Sequence, residues 1–303
     1  MSTMRVTQSL LTARTVRNIQ NAQRRMFDLQ EQLATGFRIN SPSDDPTGTQ
    51  RALNARTAIG KNEQYLNNIS RVGPQLLETG TTIQTVVDNM RRANELAIQG
   101  ATGTQTSQQF NAIAEEVNQL LEENLVSANL RTNNRYLFSG TRTLTPAFEA
   151  ERDANGDITS VNFMGNTEKI RVAISDGVTA NVNEDGQTVF QSEQDVFQLL
   201  IDLRDNLLAG DQGAVQDRLA EFPVAENQLL SALSRVGAIE NRLERVTRDT
   251  EDFTLQFQQT LSDAIDADFA ETIINLNVES NAFQAALIAS ARVIQPSLLD
   301  FIR

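Results

Sequence analysis

Two stretches at opposite ends of this chain each carry apolar side chains every three or four residues, on helices that are otherwise polar. Near the C-terminus Phe269, Leu276, Phe283 and Ser290 fall seven apart, and Ile273, Ser280, Leu287 and Ile294 repeat the spacing four residues further on. Together they read as the a and d positions of a heptad seam. Near the N-terminus Leu11, Thr15, Ile19, Ala22, Met26, Leu29 and Leu33 form a comparable row. One narrow stripe does not stabilise a lone helix in water, so each of these segments needs a partner. Charge says which one. Residues 1–40 hold six arginines and two acids, whereas 261–303 hold two arginines and six acids. The two ends are therefore expected to pair with each other, in preference to each packing on its own globular domain, with everything between projecting outward.

The intervening sequence reads as helices interrupted by one β-rich insertion. Gly36 stands where a helix C-cap belongs. The two prolines of Pro42-Ser43-Asp44-Asp45-Pro46 force extended or turn backbone, with Asp44 and Asp45 placed to cap the following helix or to hold loop N–H groups. Helical periodicity resumes from Thr49, is expected to kink or break near Gly73-Pro74, and returns with Leu76, Ile83, Met90 and Ala97. After a turn between Gly100 and Ser107, another helix turns Phe110, Ile113, Val117, Leu120 and Leu121 inward. From about Thr141 the pattern changes to short alternating segments at 158–163, 169–174 and 178–182. Asn155-Gly156, Gly165-Asn166, Asp176-Gly177 and Asp185-Gly186 punctuate them as hairpin turns. Helix returns at Asp195, and Val215, Phe222, Leu229, Val236 and Leu243 then recur every seven residues, with Leu219 and Leu233 on the alternate seam. Pro223 is expected to bend that helix or to mark its first turn. The fold class expected is mainly α: a long antiparallel helical coiled-coil or bundle rod formed by both termini, with a small inserted β domain. Its parts divide as 1–40 plus 265–303 for the terminal coiled coil, 41–142 plus 195–264 for a helical middle domain, and 143–194 for a β-rich outer insertion.

Composition removes most chemistry. At 303 residues with 40% hydrophobic content the chain can bury a core. It contains neither cysteine nor histidine, which excludes disulfides, thiolate and imidazole metal sites, and the usual nucleophilic triads. The net charge of −13 and the presence of only two lysines, Lys61 and Lys169, argue against nucleic-acid binding. Arg14, Arg17, Arg24 and Arg25 read as an ion-paired helix face. Paired acids such as Asp44 with Asp45, Glu115 with Glu116 and Asp266 with Asp268 lie on a loop and on helix faces, where solvent keeps carboxylates alike; general acid–base work needs them in different environments. Asp153-Ala154-Asn155-Gly156-Asp157 resembles the start of a calcium loop, but Met164 occupies the position where the bidentate glutamate is required, so it reads as a turn. No glycine-rich phosphate loop, dinucleotide fingerprint or nucleophile elbow is present. No run of apolar residues is long enough to span a bilayer, and no Sec-type signal peptide is visible. The expectation is a structural protein, not an enzyme, with no cofactor and no membrane insertion. A membrane-active translocator would need an apolar hairpin that is not found.

Several segments resemble the flagellin superfamily, on the side of its hook-associated junction proteins. They are the loop Ala34-Thr35-Gly36-Phe37-Arg38-Ile39-Asn40-Ser41-Pro42-Ser43-Asp44-Asp45-Pro46, then 92–99, Arg135-Tyr136-Leu137-Phe138-Ser139-Gly140-Thr141, 235–244, 265–270 and the ending 291–303. The resemblance covers roughly 1–142 and 195–303, and nothing comparable appears in 143–194. It implies a bacterial flagellar axial subunit, extracellular, exported by the flagellar type III apparatus without a cleaved signal peptide. Such a subunit would form a ring that adapts the first junction protein (hook-associated protein 1) to flagellin; filament flagellin itself is the alternative. Implied partners are further copies of the chain, the first junction protein, flagellin and an export chaperone. The chaperone would hold the C-terminal helix through Val293, Leu298, Leu299 and Phe301. Gly36, Arg38, Pro42, Asp44, Asp45 and Pro46 carry the family loop. The self-assembly surface would comprise Leu11, Ile19, Met26, Leu29, Leu33, Phe269, Ile273, Leu276, Phe283, Leu287 and Ile294. Pairing ends more than two hundred residues apart is entropically costly. The ends are thus expected to order when neighbouring copies complete their burial.

Overall fold

The computed structural model describes residues 2–102 and 105–294; the side chains of 2–9, 11 and 292–294 lie outside that description. Eight helices and six short strands follow in order: α1 (Ser2–Thr35), α2 (Pro46–Ala101), α3 (Ser107–Ala128), β1 (Arg131–Thr132), β2 (Arg135–Tyr136), β3 (Phe148–Arg152), β4 (Ile158–Phe163), β5 (Arg171–Ser175), β6 (Val178–Asn181), α4 (Gly186–Phe190), α5 (Val196–Ala209), α6 (Gln212–Arg218), α7 (Phe222–Ile265) and α8 (Phe269–Ile294). The chain is mainly α with a small β insertion, and it divides into two compact units. One comprises residues 1–61 with 253–303; the other is the continuous stretch 62–252.

The continuous unit is built on a single apolar core. Leu76, Ile83, Met90 and Ala97 of α2 are buried, as are Phe110, Ile113, Val117, Leu120 and Leu121 of α3 and Phe222, Leu229, Val236 and Leu243 of α7. Each set falls on one helical face, so the 3.6-residue period of the sequence became the inner surface of the unit. The core continues into the insertion through Phe148, Ile158, Ile174 and Ala180. Phenylalanines form its densest part. The Phe148 ring lies 5.0 Å from Phe197, 5.3 Å from Phe163 and 5.7 Å from Phe190, and Phe138 meets Phe190 edge-on at 5.1 Å.

Strands pair only with their neighbours in sequence, giving three separate antiparallel ribbons: β1 with β2, β3 with β4, and β5 with β6. The turns at Asn155-Gly156 and Asp176-Gly177 join the last two as the sequence predicts. Asp185-Gly186 does not turn a hairpin. The Asp185 carboxylate instead accepts the Thr188 backbone N–H at 2.8 Å and caps the short helix α4.

Two prolines behave differently from one another. Pro223 sits in the first turn of α7, where a missing N–H costs nothing. Pro74 lies inside α2, which continues through it without a break. Ile69 and Leu76, on either side, are both buried in the core, and that packing holds the helix together across the lost hydrogen bond.

Candidate functional site

The first unit is organised by its termini. Gly36 ends α1 with φ of +78°, a conformation suited to glycine, and its N–H bonds to the Gln32 carbonyl at 2.9 Å. A Cβ built on Gly36 would sit 3.7 Å from the Phe269 ring at the start of α8. Eleven residues back along α1, Arg25 Nη2 meets Glu279 Oε1 at 2.6 Å, ten residues forward along α8. Helices α1 and α8 therefore lie side by side and antiparallel. That hydrogen bond and ion pair with Glu279 also raise the Arg25 pKa above its ordinary value, against a weaker effect of desolvation.

The facing stripes are narrow. On α1 Thr15, Ile19, Met26, Leu29 and Leu33 are half-buried and Ala22 is buried. On α8 the corresponding row is Thr272, Leu276, Glu279, Phe283, Ala286 and Ser290, again at alternating spacings of four and three. Thr272 and Ser290 are buried, and Leu276 and Phe283 are half-buried. The structure thus brings Ile19, Met26, Leu29, Leu33, Leu276 and Phe283 onto the facing sides. Phe269, Ile273 and Leu287 remain 53%, 49% and 44% exposed, because the facing row is rotated away from the a/d assignment that placed them centrally. The side chains of Leu11, Val293 and Ile294, and the whole of Leu298, Leu299 and Phe301, lie outside the described residues.

A second stripe was missed in the sequence. Ile274, Val278, Ala285 and Ile288 are all exposed on the side of α8 turned away from α1, the three large ones by more than 60%. Their spacing of four, seven and three was the available signal. Helix α8 is apolar on opposite sides, which is characteristic of a helix covered on opposite sides.

The loop after α1 is held by specific bonds. Arg38 N–H donates to the Ile265 carbonyl at 2.7 Å, Ala267 N–H donates to the Gly36 carbonyl at 2.9 Å, and Phe37 bridges Asp266 in antiparallel fashion. The Arg38 guanidinium reaches the Ala264 carbonyl at 2.7 Å and the Asp45 carboxylate at 3.4 Å. Asp44 accepts the N–H groups of Asn40 and Ser41. Asp45 accepts that of Gly48 at 2.9 Å, capping the helix that Pro46 opens. The Gly48 N–H lowers the Asp45 pKa, assisted by Arg38 and opposed by desolvation. Glycine at 48 lets the loop pack closely: a Cβ there would lie 2.5 Å from Ile39 Cδ1 and 2.6 Å from the Asp45 carboxylate, so both side chains would have to shift. A polar cleft of about 310 Å³ beside Asp28, Arg38 and Asp44 and an apolar one of about 230 Å³ beside Ile39, Pro42 and Ile265 flank this loop. Among the described residues no helix is long and apolar enough to cross a membrane.

Residues 6–143 match the family model of the bacterial flagellin N-terminal helical region. Over 312 aligned positions the chain is 23% identical to flagellar hook-associated protein 3 of Escherichia coli (strain K12), covering 93% of this chain and 95% of that one. It is 26% identical to the phase 1 flagellin of Salmonella naestved over 174 positions, which span 57% of this chain but only 30% of the flagellin. A solved structure described as a flagellar hook-associated protein from Vibrio parahaemolyticus superposes with a TM-score of 0.65 at 22% identity, over 74% of this chain and all of that one. That similarity establishes a shared fold.

Proposed function

We propose, for a chain whose residues 6–143 match the flagellin N-terminal helical region, that it is a structural subunit of the bacterial flagellum, placed in the ring between hook and filament. There it would adapt the first junction protein on the hook side, hook-associated protein 1, to the first flagellins. The outward apolar stripe of α8 carries this reading. Fully burying an exposed Ile or Val side chain is worth about 1.5–3 kcal/mol, and Ile274, Val278 and Ile288 are about three-fifths exposed, so together they offer about 3–6 kcal/mol per copy. Bringing two proteins together costs about 4–15 kcal/mol. One such contact is marginal, whereas a lattice in which every copy has several neighbours multiplies the gain.

In this role residues 1–40 with 265–303 would form the inner layer of the assembly, 41–142 with 195–264 the middle layer and the insertion 143–194 the outer one. Ile19, Met26, Leu29, Leu33, Leu276 and Phe283 would hold the terminal helices to each other. Phe269, Ile273 and Leu287 would turn towards neighbouring copies. Leu11 and Ile294 would extend this surface, and Val293, Leu298, Leu299 and Phe301 would meet an export chaperone before assembly. Export would use the flagellar type III apparatus. Near end-to-end alignment with hook-associated protein 3, against alignment with under a third of a flagellin, supports the junction role over that of filament protein.

Electron microscopy of cells lacking this chain tests the proposal. Hooks without filaments, and filament protein shed into the medium, are expected; normal filaments would refute it. Purified chain added to filament seeds should stop after a short collar, whereas indefinite elongation would identify a filament flagellin instead. Removing the last ten residues should abolish assembly and leave the folded 62–252 body intact by circular dichroism.

A further inference from the structure

The chain carries an excess of thirteen negative charges, yet one exposed corner of the continuous unit is basic. In the β1–β2 ribbon Thr132 pairs with Arg135 and Arg131 with Tyr136, so two arginines share one tight hairpin. Asn133 and Asn134 turn it with φ of 51° and 63°. The Tyr136 N–H then bonds to the Thr143 carbonyl at 2.8 Å, which brings the neighbouring Arg142 to the same corner. Arg131, Arg135 and Arg142 are all exposed, and none forms a salt bridge to a carboxylate among the described residues. Arg131 is held in place without a counter-charge: its guanidinium lies 5.0 Å over the Tyr136 ring and donates to the Asn134 side chain. Beside them Leu144 is 76% exposed, the highest exposure of any large apolar side chain described. Arginine and tyrosine are enriched at protein contacts, and the protruding leucine adds apolar area for such a contact to bury.

We infer that this corner docks on the acidic face of the insertion in a second copy of this chain. The occupant follows from charge. Residues 145–196 hold ten acids against three bases. Within them β3 places Glu149 and Glu151 on one face of the strand, both exposed and neither in a salt bridge among the described residues. Phe148 and Ala150, which alternate with them, turn inward, so the acids have no competing role in the core. In a chain whose net charge repels its own copies, an unneutralised basic corner and an acidic strand face without a counter-charge, where Glu151 accepts only the Asn162 side-chain amide at 3.3 Å, supply the local attraction that fixes how copies face one another. This inference rests on the self-assembling subunit proposed above and assigns one of its contacts.

Charge exchange tests it with the full chain, using sedimentation at rising protein concentration and at two salt concentrations. The double variant Arg131→Glu/Arg135→Glu should weaken self-association at least tenfold at low salt, with the deficit shrinking as salt rises. Glu149→Arg/Glu151→Arg should do the same. A variant carrying all four changes should recover wild-type association, because each altered surface again meets its complement, and circular dichroism should show all three folded. Unchanged association of the double variants, with the wild type assembling, overturns this contact and leaves the subunit reading intact. Loss in the doubles without recovery in the fourfold variant also overturns it, since the arginines then serve some other anionic partner. A wild type that never associates, even on purified hook–filament ends, removes the subunit reading and this inference together.

Discussion

Phenylalanine is used in opposite ways by the two units. In the continuous unit Phe138, Phe148, Phe190, Phe197 and Phe222 are buried to within a few per cent, and five ring pairs interlock. In the unit made from the two termini Phe27, Phe253 and Phe269 are each more than half exposed, and among the described residues the cluster of buried apolar side chains there is Ala52, Ala264 and Ile265, flanked by Ile39 and Leu261. Sequence distance does not explain the contrast: within residues 62–252 Arg91 already meets Glu226 across 135 residues, and a closure cost that grows as (3/2)RT ln n changes little between that span and the one joining α1 to α8. The continuous unit buries its large rings, and the terminal unit leaves much of its apolar area exposed.

The largest expected effect therefore belongs to the continuous unit. Phe148→Ala removes a ring that touches three others and leaves a void that α5 and β4 are too constrained to fill, so it should cost about 3–5 kcal/mol in urea denaturation. A loss below about 1 kcal/mol would mean that the cluster is loosely packed and that the contrast between the units is overstated. Gln228→Leu comes next. The amide of this buried side chain donates to the carbonyls of Val189 at 2.9 Å and Gln194 at 3.1 Å and accepts the N–H groups of Glu193 and Gln194 at 2.8 and 2.9 Å, filling all of its hydrogen-bonding capacity. Leucine strands those backbone groups, at about 2–3 kcal/mol. Hydrogen exchange at Glu193 and Gln194 should rise before the rest of the unit opens.

Gln228 also shows where sequence reading stops. The helices of the continuous unit were legible because their apolar residues repeat at three, four and seven, and the inward faces of α2, α3 and α7 follow those rows. The two longer hairpins were legible from Asn155-Gly156 and Asp176-Gly177. What α7 does for the segment 189–195 was not, because one glutamine satisfying two carbonyls and two N–H groups leaves no period or motif. β3 was missed because Phe148-Glu149-Ala150-Glu151-Arg152 carries three charges in five residues and only Phe148 and Ala150 to mark the face that turns inward. Asp185-Gly186 reads as a turn to any local rule, and only the Thr188 N–H that it caps marks it as a helix start. In the terminal unit the row on α1 was readable, whereas α8, apolar on two sides, offers two rows to choose from. Which one faces α1 depends on a partner that the local pattern does not contain.

Asp195 gives a smaller and signed effect. It caps α5 by accepting the N–H groups of Phe197 and Gln198 at 2.9 and 3.0 Å. Asp195→Ala should cost about 1 kcal/mol. Burial raises its pKa, against the opposing hydrogen bonds. A carboxyl whose folded pKa is raised favours folding most below its unfolded value of about 3.9, and that contribution is lost as pH climbs through the folded value. Asp195→Asn keeps the cap and removes the titration. Relative to the wild type, the Asn variant should gain stability between pH 4 and pH 7; a flat difference over that range would show that the carboxyl is better solvated than its position implies.

The smallest effect on folding is expected from the same chemical change as the largest, moved to the other unit. Phe283 is half-buried on the facing side of α8, opposite the row from Ile19 to Leu33 on α1. Phe283→Ala should leave the unfolding transition of residues 62–252 within about 0.5 kcal/mol of the wild type, because Phe283 is not a member of that core. Its cost should appear in assembly instead, as a higher concentration needed to add copies to hook–filament ends. If Phe283→Ala lowered the main transition as Phe148→Ala does, the terminal helices would already be part of one cooperative fold. The exposed faces of α8 would then be ordinary surface and not area held for neighbouring copies.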